Sequence, residues 1–323
     1  MSVFDEIRSA AAAVMERARS VRLDEARLEV LARGILGAAC EPAQLDPAHH
    51  YRGSPESTLA FVVTLDAINF GSGWFPLLTK RPGCSGYFTV ATALTERFEA
   101  CGPFDAQQLQ AQGADEVAAL LGQDLVAADP ALRELMALFA RALADLGRWL
   151  EERHGGDFAR MLASASHRAE TLVQLLAEMP FYRDVARYDE LEVPFYKRAQ
   201  LTAADLAVAL RGEGFGRFDD LDRLTIFADN LVPHVLWCEG VLRYVPELVD
   251  RIAKGELLET GSPEEVEIRA GAVHAVERMV ALLLDESPPD RITAQRLDYV
   301  LWNRGQRPDV KARPRHRARS VYY

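Results

Sequence analysis

Apolar residues recur at steps of three and four along most of this chain, and no other feature narrows its fold as much. Residues 24–39 place Leu28, Leu31, Ile35 and Leu36 on one helical face. Residues 131–152 repeat the spacing with Leu132, Leu135, Leu138, Phe139, Ala142, Leu146 and Leu150. Residues 264–284 do so with Val266, Ala270, Val273, Val276, Val280 and Leu283. Start signals agree. Ser262-Pro263-Glu264-Glu265 offers a capping hydroxyl, a proline for the first helical position and acids for the first turn. Ser54-Pro55-Glu56-Ser57 and Thr202-Ala203-Ala204-Asp205 read as further starts, and Gly212, Gly240 and Gly255 as stops or bends. Strand-like alternation is rare; residues 83–92 suit either a short strand or the entry to a helix. The chain is therefore expected to be mostly α. With 323 residues, no internal repeat and no long Pro/Gly/Ser linker, the expectation is one helical domain over 1–323, with room for two lobes.

Charge and run length exclude whole classes of function. No apolar run exceeds six residues, the length of residues 10–15 and 279–284, far short of the ~20 a membrane span needs. The opening MSVFDEIRSA carries acids early and lacks the apolar core of a signal peptide, which predicts a cytoplasmic protein. Cys40, Cys84, Cys101 and Cys238 are scattered, with no CxxC pair, and the histidines form no HxH or HExxH. Free thiols and no metal site are the expectation. The net charge of −11 hides a basic stretch, residues 304–319, which carries +6 and leaves −17 elsewhere. That stretch runs into Ser320-Val321-Tyr322-Tyr323, an apolar end suited to docking, with its arginines paired to the acidic body or reserved for a ligand. Neither GxGxxG nor GxxxxGK[ST] nor GxSxG occurs.

Four stretches carry candidate chemistry, each with a plainer structural reading beside it. Residues 201–232 read as helix, a turn bearing Gly212, Gly214 and Gly216, then helix. In the second helix Asp229 would share a face with Ile226 and Val232. A carboxylate there needs a buried partner or a catalytic task, because an unpaired charge among apolar groups is costly. Residues 66–76, DAINFGSGWFP, suit either a ring-binding pocket or a glycine-capped helix end over a core tryptophan. In LDYVLW, Asp298 and Trp302 are one turn apart. They suit a base-stacking plate with a hydrogen-bonding carboxylate, or a core tryptophan capped by an aspartate. In PFYKRAQL, Lys197 and Arg198 read first as exposed, solvated cations.

Taken together, DAINFGSGWFP, PFYKRAQL, LTIFADNLVP, GSPEEVEIRAGAVHAVE, LDYVLW and RARSVYY resemble the queuosine salvage proteins, from about residue 25 to the C-terminus. The resemblance implies a fold like the helix–hairpin–helix DNA glycosylases. It also implies hydrolysis of queuosine 5′-phosphate to queuine and ribose 5-phosphate, without a cofactor. On that resemblance Asp229 would be the catalytic carboxylate and Phe227 would line the base pocket. Asp298, Tyr299 and Trp302 would hold the base, His50 (or its neighbour His49) would touch the ligand, and Lys197 with a tail arginine would hold the phosphate.

The chemistry is consistent with that set. N-glycoside cleavage passes through an oxocarbenium-like sugar that a carboxylate can stabilise or capture. Queuine is a 7-deazaguanine with no N7 to protonate, so help for the leaving group must come at another atom. An ionised Asp298 would offer two acceptors to the N1–H and N2–H of a guanine-like edge. A monomer with a small-molecule substrate, and neither nucleic acid nor membrane as partner, is expected. Two alternatives stay open: a DNA or RNA base glycosylase, which the −17 body disfavours, and a non-catalytic helical protein that binds a modified nucleoside.

Overall fold

The computed structural model describes residues 1–39, 43–126, 128–284 and 292–323; Cys40 lies outside them. The chain is mostly helical. Its strands are two to four residues long and form three two-stranded ladders: Val21–Leu23 antiparallel to Leu242–Tyr244, Val185–Tyr188 antiparallel to Leu191–Pro194, and Leu257–Leu258 parallel to Arg317–Ala318. No helix among the described residues is long and apolar enough to cross a membrane.

Two compact units are present. The first is assembled from Met1–Ala43, Asp184–Gln200 and Asp220–Arg319, and the second from Gln44–Arg183, Leu201–Asp219 and Ser320–Tyr323.

The first unit is organised by the helix Pro263–Leu284, buried along much of its length. The helix Val3–Arg17 packs along it through Val3, Phe4, Ile7, Ala11 and Val14, and Arg8 Nε donates to Glu277 at 2.8 Å. Near its start, Glu267 is fully buried and accepts from the backbone N–H groups of Arg19, Ser20 and Val21 and from the Tyr188 hydroxyl. A buried carboxylate with this many donors is a structural clamp for the turn that joins the helix Val3–Arg17 to the strand Val21–Leu23. The helix Ala294–Gly305, capped by Thr293 on the Arg296 N–H, packs on the helices Leu231–Cys238, Pro263–Leu284 and Glu25–Ala39.

The core of the second unit is built on the helices Pro55–Ala67, Gly86–Cys101 and Pro130–His154. Ser54, Ser85 and Asp129 cap them through their side chains, and proline opens the first and third. In Pro55–Ala67 the residues from Thr58 to Ala67 are all buried, so this helix is enclosed on every side. Gly147 allows a close approach, since a Cβ there would stand 2.5 Å from the Ala106 carbonyl oxygen.

The periodic segments are helices as the spacing predicts, and Gly212, Gly240 and Gly255 follow helix ends with positive φ. Residues 83–92 enter the helix Gly86–Cys101. Three expectations are corrected. The helix expected to start near Thr202 is Lys197–Ala209, because the Asp184 carboxylate accepts the Lys197 N–H and so sets an earlier start. The second helix of residues 201–232 does not form before Leu231; short 3₁₀ turns at Gly214–Gly216 and Leu221–Arg223 take its place. Ser262 precedes Pro263 as the spacing predicts, but its buried hydroxyl has no hydrogen bond among the described residues and does not cap.

Candidate active site

Residues 224–228 form no regular element and are buried ahead of the helix Leu231–Cys238, and distant side chains satisfy part of their backbone. Gln200 Oε1 accepts the Thr225 N–H at 2.9 Å, Asp298 Oδ1 accepts the Phe227 N–H at 2.9 Å, and Arg269 Nε donates to the Ala228 carbonyl at 2.9 Å. These ties replace the helical hydrogen bonds that the local pattern suggested. Asp229 therefore stands in front of a helix and not within one. Its Oδ1 accepts from the N–H groups of Leu231 (2.7 Å) and Val232 (3.2 Å). Oδ2 has no hydrogen bond among the described residues, and the side chain is half-buried. The carboxylate is thus oriented by one oxygen with the other left open, and the positive end of the helix backs its charge.

Asp298 lies on the helix Ala294–Gly305 and is 5% exposed. Burial, then the negative charge of Asp229, push it up to about 8, against the opposing pull of the Phe227 N–H and the Lys197 ammonium. At neutral pH Asp298 accordingly carries a proton. Tyr299 and Trp302 are half-buried on the same helix, Trp302 one turn beyond Asp298. Phe227 is buried, and its backbone is what clamps Asp298. Lys197 and Arg198, expected to be solvated, are buried at 6% and 1% exposure. The fold closes over them because Asp184 anchors the Lys197 backbone while its carboxylate is gripped by Arg269 at 2.9 and 2.6 Å. The first unit thus contains Lys197, Phe227, Asp229, Asp298, Tyr299 and Trp302, with the carboxylates and Lys197 close enough to feel one another's charge.

His50 belongs to the second unit. Its Nδ1 lies 2.8 Å from the Asp46 carbonyl, which can only accept, so Nδ1 carries the proton. Nε2 then accepts from the Tyr87 hydroxyl at 2.8 Å. Burial shifts His50 downwards and keeps it neutral. With both nitrogens engaged, His50 has only its ring to offer a ligand. His49 stacks on Phe88 and bonds Thr92 through Nδ1.

The stretch 66–76 follows its structural reading. Trp74 is 2% exposed with Nε1 on Glu134 at 2.9 Å, and Phe70 packs against Phe139 and Phe181. Gly71, at φ 104°, turns its N–H to the Tyr323 carbonyl.

The terminal arginines do not simply pair with acids. Arg304 bonds Glu239 and Arg307 bonds Asp309, but Arg313 covers the Trp237 ring and donates to the Cys238 carbonyl, and Arg317 donates to the Gly255 carbonyl. Arg315 is half-buried and its guanidinium has no hydrogen bond among the described residues. Desolvation shifts it downwards, opposed by the charge of Asp229. Asn230 and His316, the sequence neighbours of Asp229 and Arg315, are buried, and Asn230 Nδ2 and His316 Nε2 have no hydrogen bond among the described residues. Burial and the charge of Arg315 hold His316 neutral, down to about 3. Sequence reasoning missed Arg269, Asn230, Arg315 and His316 as individuals. Arg269 had a signal, a cation on the same helical face as Val266 and Val273.

The profile of the queuosine salvage protein family matches residues 49–323. The chain is 35% identical over 316 residues to the queuosine 5′-phosphate N-glycosylase/hydrolase of Sphaerobacter thermophilus, covering 96% of this chain and 95% of that one. It is 32% identical to the Mus musculus protein of the same name, over 98% of each chain. The Dictyostelium discoideum protein of that name is 36% identical over 221 residues, 68% of this chain and 66% of the other.

Proposed function

Because the chain belongs to the queuosine salvage protein family, we propose that it hydrolyses queuosine 5′-phosphate to queuine and ribose 5-phosphate, with Asp229 and Asp298 as the working pair. The observation that carries this reading is the contrast between the two carboxyls. Asp229 has one oxygen tied to backbone N–H groups and one open, while Asp298 is buried and pushed up to about 8, so that it keeps a proton at neutral pH. Carboxyl pairs held in different protonation states suit glycoside cleavage.

The ribose C1′ sits over the open oxygen of Asp229. As the C1′–N9 bond breaks, its electron pair goes to the base and positive charge grows on the sugar, where the Asp229 charge stabilises it. Asp298 offers its carbonyl oxygen to N1–H and its O–H to O6. The proton passes to O6, so the 7-deazaguanine departs neutral without an N7. Water then adds to C1′ and gives its proton to Asp229, and solvent exchange restores the starting states. Trp302 and Tyr299 supply faces for the base and Phe227 packs behind it. Lys197 and Arg315 are the cations whose charges reach the two carboxyls, and they serve the substrate phosphate.

The reading is of a cytoplasmic monomer acting on a small molecule; a net charge of −11 does not suit a polyanion partner. Incubation with queuosine and its 5′- and 3′-monophosphates, with queuine followed by mass spectrometry, tests it. Queuine should appear fastest from the 5′-phosphate, and release from none of the three would refute the reading.

A further inference from the structure

Lys197 and Asp229 lie on stretches far apart in sequence, residues 195–200 and 224–229, and the side chain of Gln200 bonds to both. Gln200 is fully buried. Its Nε2 donates to the Phe195 carbonyl and to the Thr225 hydroxyl, each at 2.9 Å, and its Oε1 accepts the Thr225 N–H at 2.9 Å. A carbonyl only accepts and a backbone N–H only donates, so the amide has one orientation that serves both stretches. The Thr225 hydroxyl, also fully buried, donates on to the Ile226 carbonyl at 3.2 Å. An ionised carboxylate at 200 would lack the donor, and an apolar side chain would lack donor and acceptor.

Each stretch is also held by itself. The Asp184 carbonyl accepts the N–H groups of Phe195 (2.9 Å) and Tyr196 (3.2 Å), and its carboxylate accepts that of Lys197. Tyr196 is kept there at φ 47°, a strained value for a tyrosine, which persists where surrounding bonds over-determine the backbone. Asp298 and Arg269 hold Phe227 and Ala228. Arg269 joins the two stretches indirectly, through Asp184, whereas Gln200 joins them directly.

We infer that Gln200 is a positioning residue that sets the separation of Lys197 from Asp229 and so selects where on the ribose the phosphate stands. The inference rests on the hydrolase reading above and adds the source of its preference among phosphates. A 5′-phosphate is joined to C1′ by a fixed set of bonds. Once Lys197 holds that phosphate, C1′ has a set reach, and Asp229 must stand there. A 3′-phosphate on the same cation would carry C1′ elsewhere. The bare nucleoside does not use the separation. A misplacement of ~1 Å between such groups costs on the order of a hundredfold in rate.

Steady-state kinetics on queuosine and its 5′- and 3′-monophosphates test this in the parent and in Gln200→Met, which has similar length and neither bond. In Gln200→Met the kcat/KM for the 5′-phosphate relative to queuosine should fall roughly tenfold or more, and the preference for the 5′- over the 3′-phosphate should narrow. A purely structural role would thin the folded population and lower all three substrates by one factor, leaving the ratios alone. Should Gln200→Met fail to fold, Thr225→Val keeps the shape, loses the hydroxyl that takes Gln200 Nε2, and should lower the same ratio severalfold. Ratios within about twofold of the parent in the variant that folds would overturn the inference and leave the hydrolase reading intact. So would a parent that cleaves the 5′-phosphate no better than queuosine. Release of queuine from none of the three would overturn both.

Discussion

Arg269 Nε holds the carbonyl of Ala228 at 2.9 Å, one peptide ahead of Asp229. The same guanidinium grips Asp184 with its terminal nitrogens and lies 3.9 Å from the centre of the Phe195 ring. A single planar cation therefore fixes both the peptide before Asp229 and the anchor of the helix Lys197–Ala209.

Arg269→Met should destabilise the fold by about 3–5 kcal/mol, because it leaves the buried Asp184 carboxylate uncompensated. Arg269→Lys keeps the charge but cannot make the three bonds at once, so it should fold with a lower melting temperature and lose kcat more than KM. Thermal melts and steady-state kinetics check both. A lysine variant with parental kcat would show that Ala228 does not need this brace.

Asp229→Asn should reduce queuine release by roughly a hundredfold or more, the scale of losing one electrostatic contact to a transition state. An asparagine can still accept from Leu231 and Val232, so the melting temperature should stay near the parent value. Asp229→Ala removes the acceptor as well and should cost a further ~1 kcal/mol of stability. A purified asparagine variant with parental turnover would remove Asp229 from the chemistry.

The helices were legible because burial of one face requires the apolar spacing wherever the partner lies. The approach to Asp229 was not. Ile226, Asp229 and Val232 have helical spacing, yet the backbone N–H groups of Thr225 and Phe227 are taken by Gln200 and Asp298. A residue 71 positions away cannot be seen from a local pattern. Lys197 and Arg198 were misread for a related reason, since exposure is decided by what packs on top. Cys238 could be noted only as unpaired, whereas in the fold its sulfur lies 3.5 Å from His234 Nε2. The residues of the proposed site were identifiable by resemblance. The open nitrogens of Asn230 and His316 were not, because a missing partner is a property of three dimensions.

Stability should depend on pH through Asp298. Its folded form is pushed up to about 8 from an ordinary 3.8, so the folded chain retains a proton that the unfolded chain gives up. That contribution is fully present below about pH 4 and is lost as the pH rises to about 8. Asparagine has no such proton and can still accept the Phe227 N–H. The melting temperature of Asp298→Asn relative to the parent should therefore rise between pH 5 and about 8.5. Parallel curves for the two proteins would show that Asp298 is ionised throughout.

Base selection should follow the same proton. Protonated Asp298 matches N1–H and O6 of queuine, but also N6–H and N1 of adenine. Ionised Asp298 still accepts two donors from queuine and meets the N1 lone pair of adenine. Adenine should compete with queuine for the Asp229→Asn protein at low pH and lose that ability at high pH, the change falling below about pH 8 because the Asp229 charge that helps to raise Asp298 is gone, while queuine binding persists. Calorimetric competition at the two pH values decides it, and a discrimination that does not change with pH would place base reading elsewhere.

The bond between Arg8 and Glu277 joins residues 269 positions apart. During synthesis at about 5–20 residues per second, the helix Val3–Arg17 leaves the ribosome roughly 15–50 seconds before the helix Pro263–Leu284 that covers it. Through that interval the helix Val3–Arg17 lacks its main partner, although the strand Leu191–Pro194 that also packs on it is made earlier, and the ladder strand Val21–Leu23 waits almost as long for Leu242–Tyr244. The unit that carries Asp229 and Asp298 is thus finished only once the helix Pro263–Leu284 has been made, and until then the nascent chain depends on whatever shields the helix Val3–Arg17.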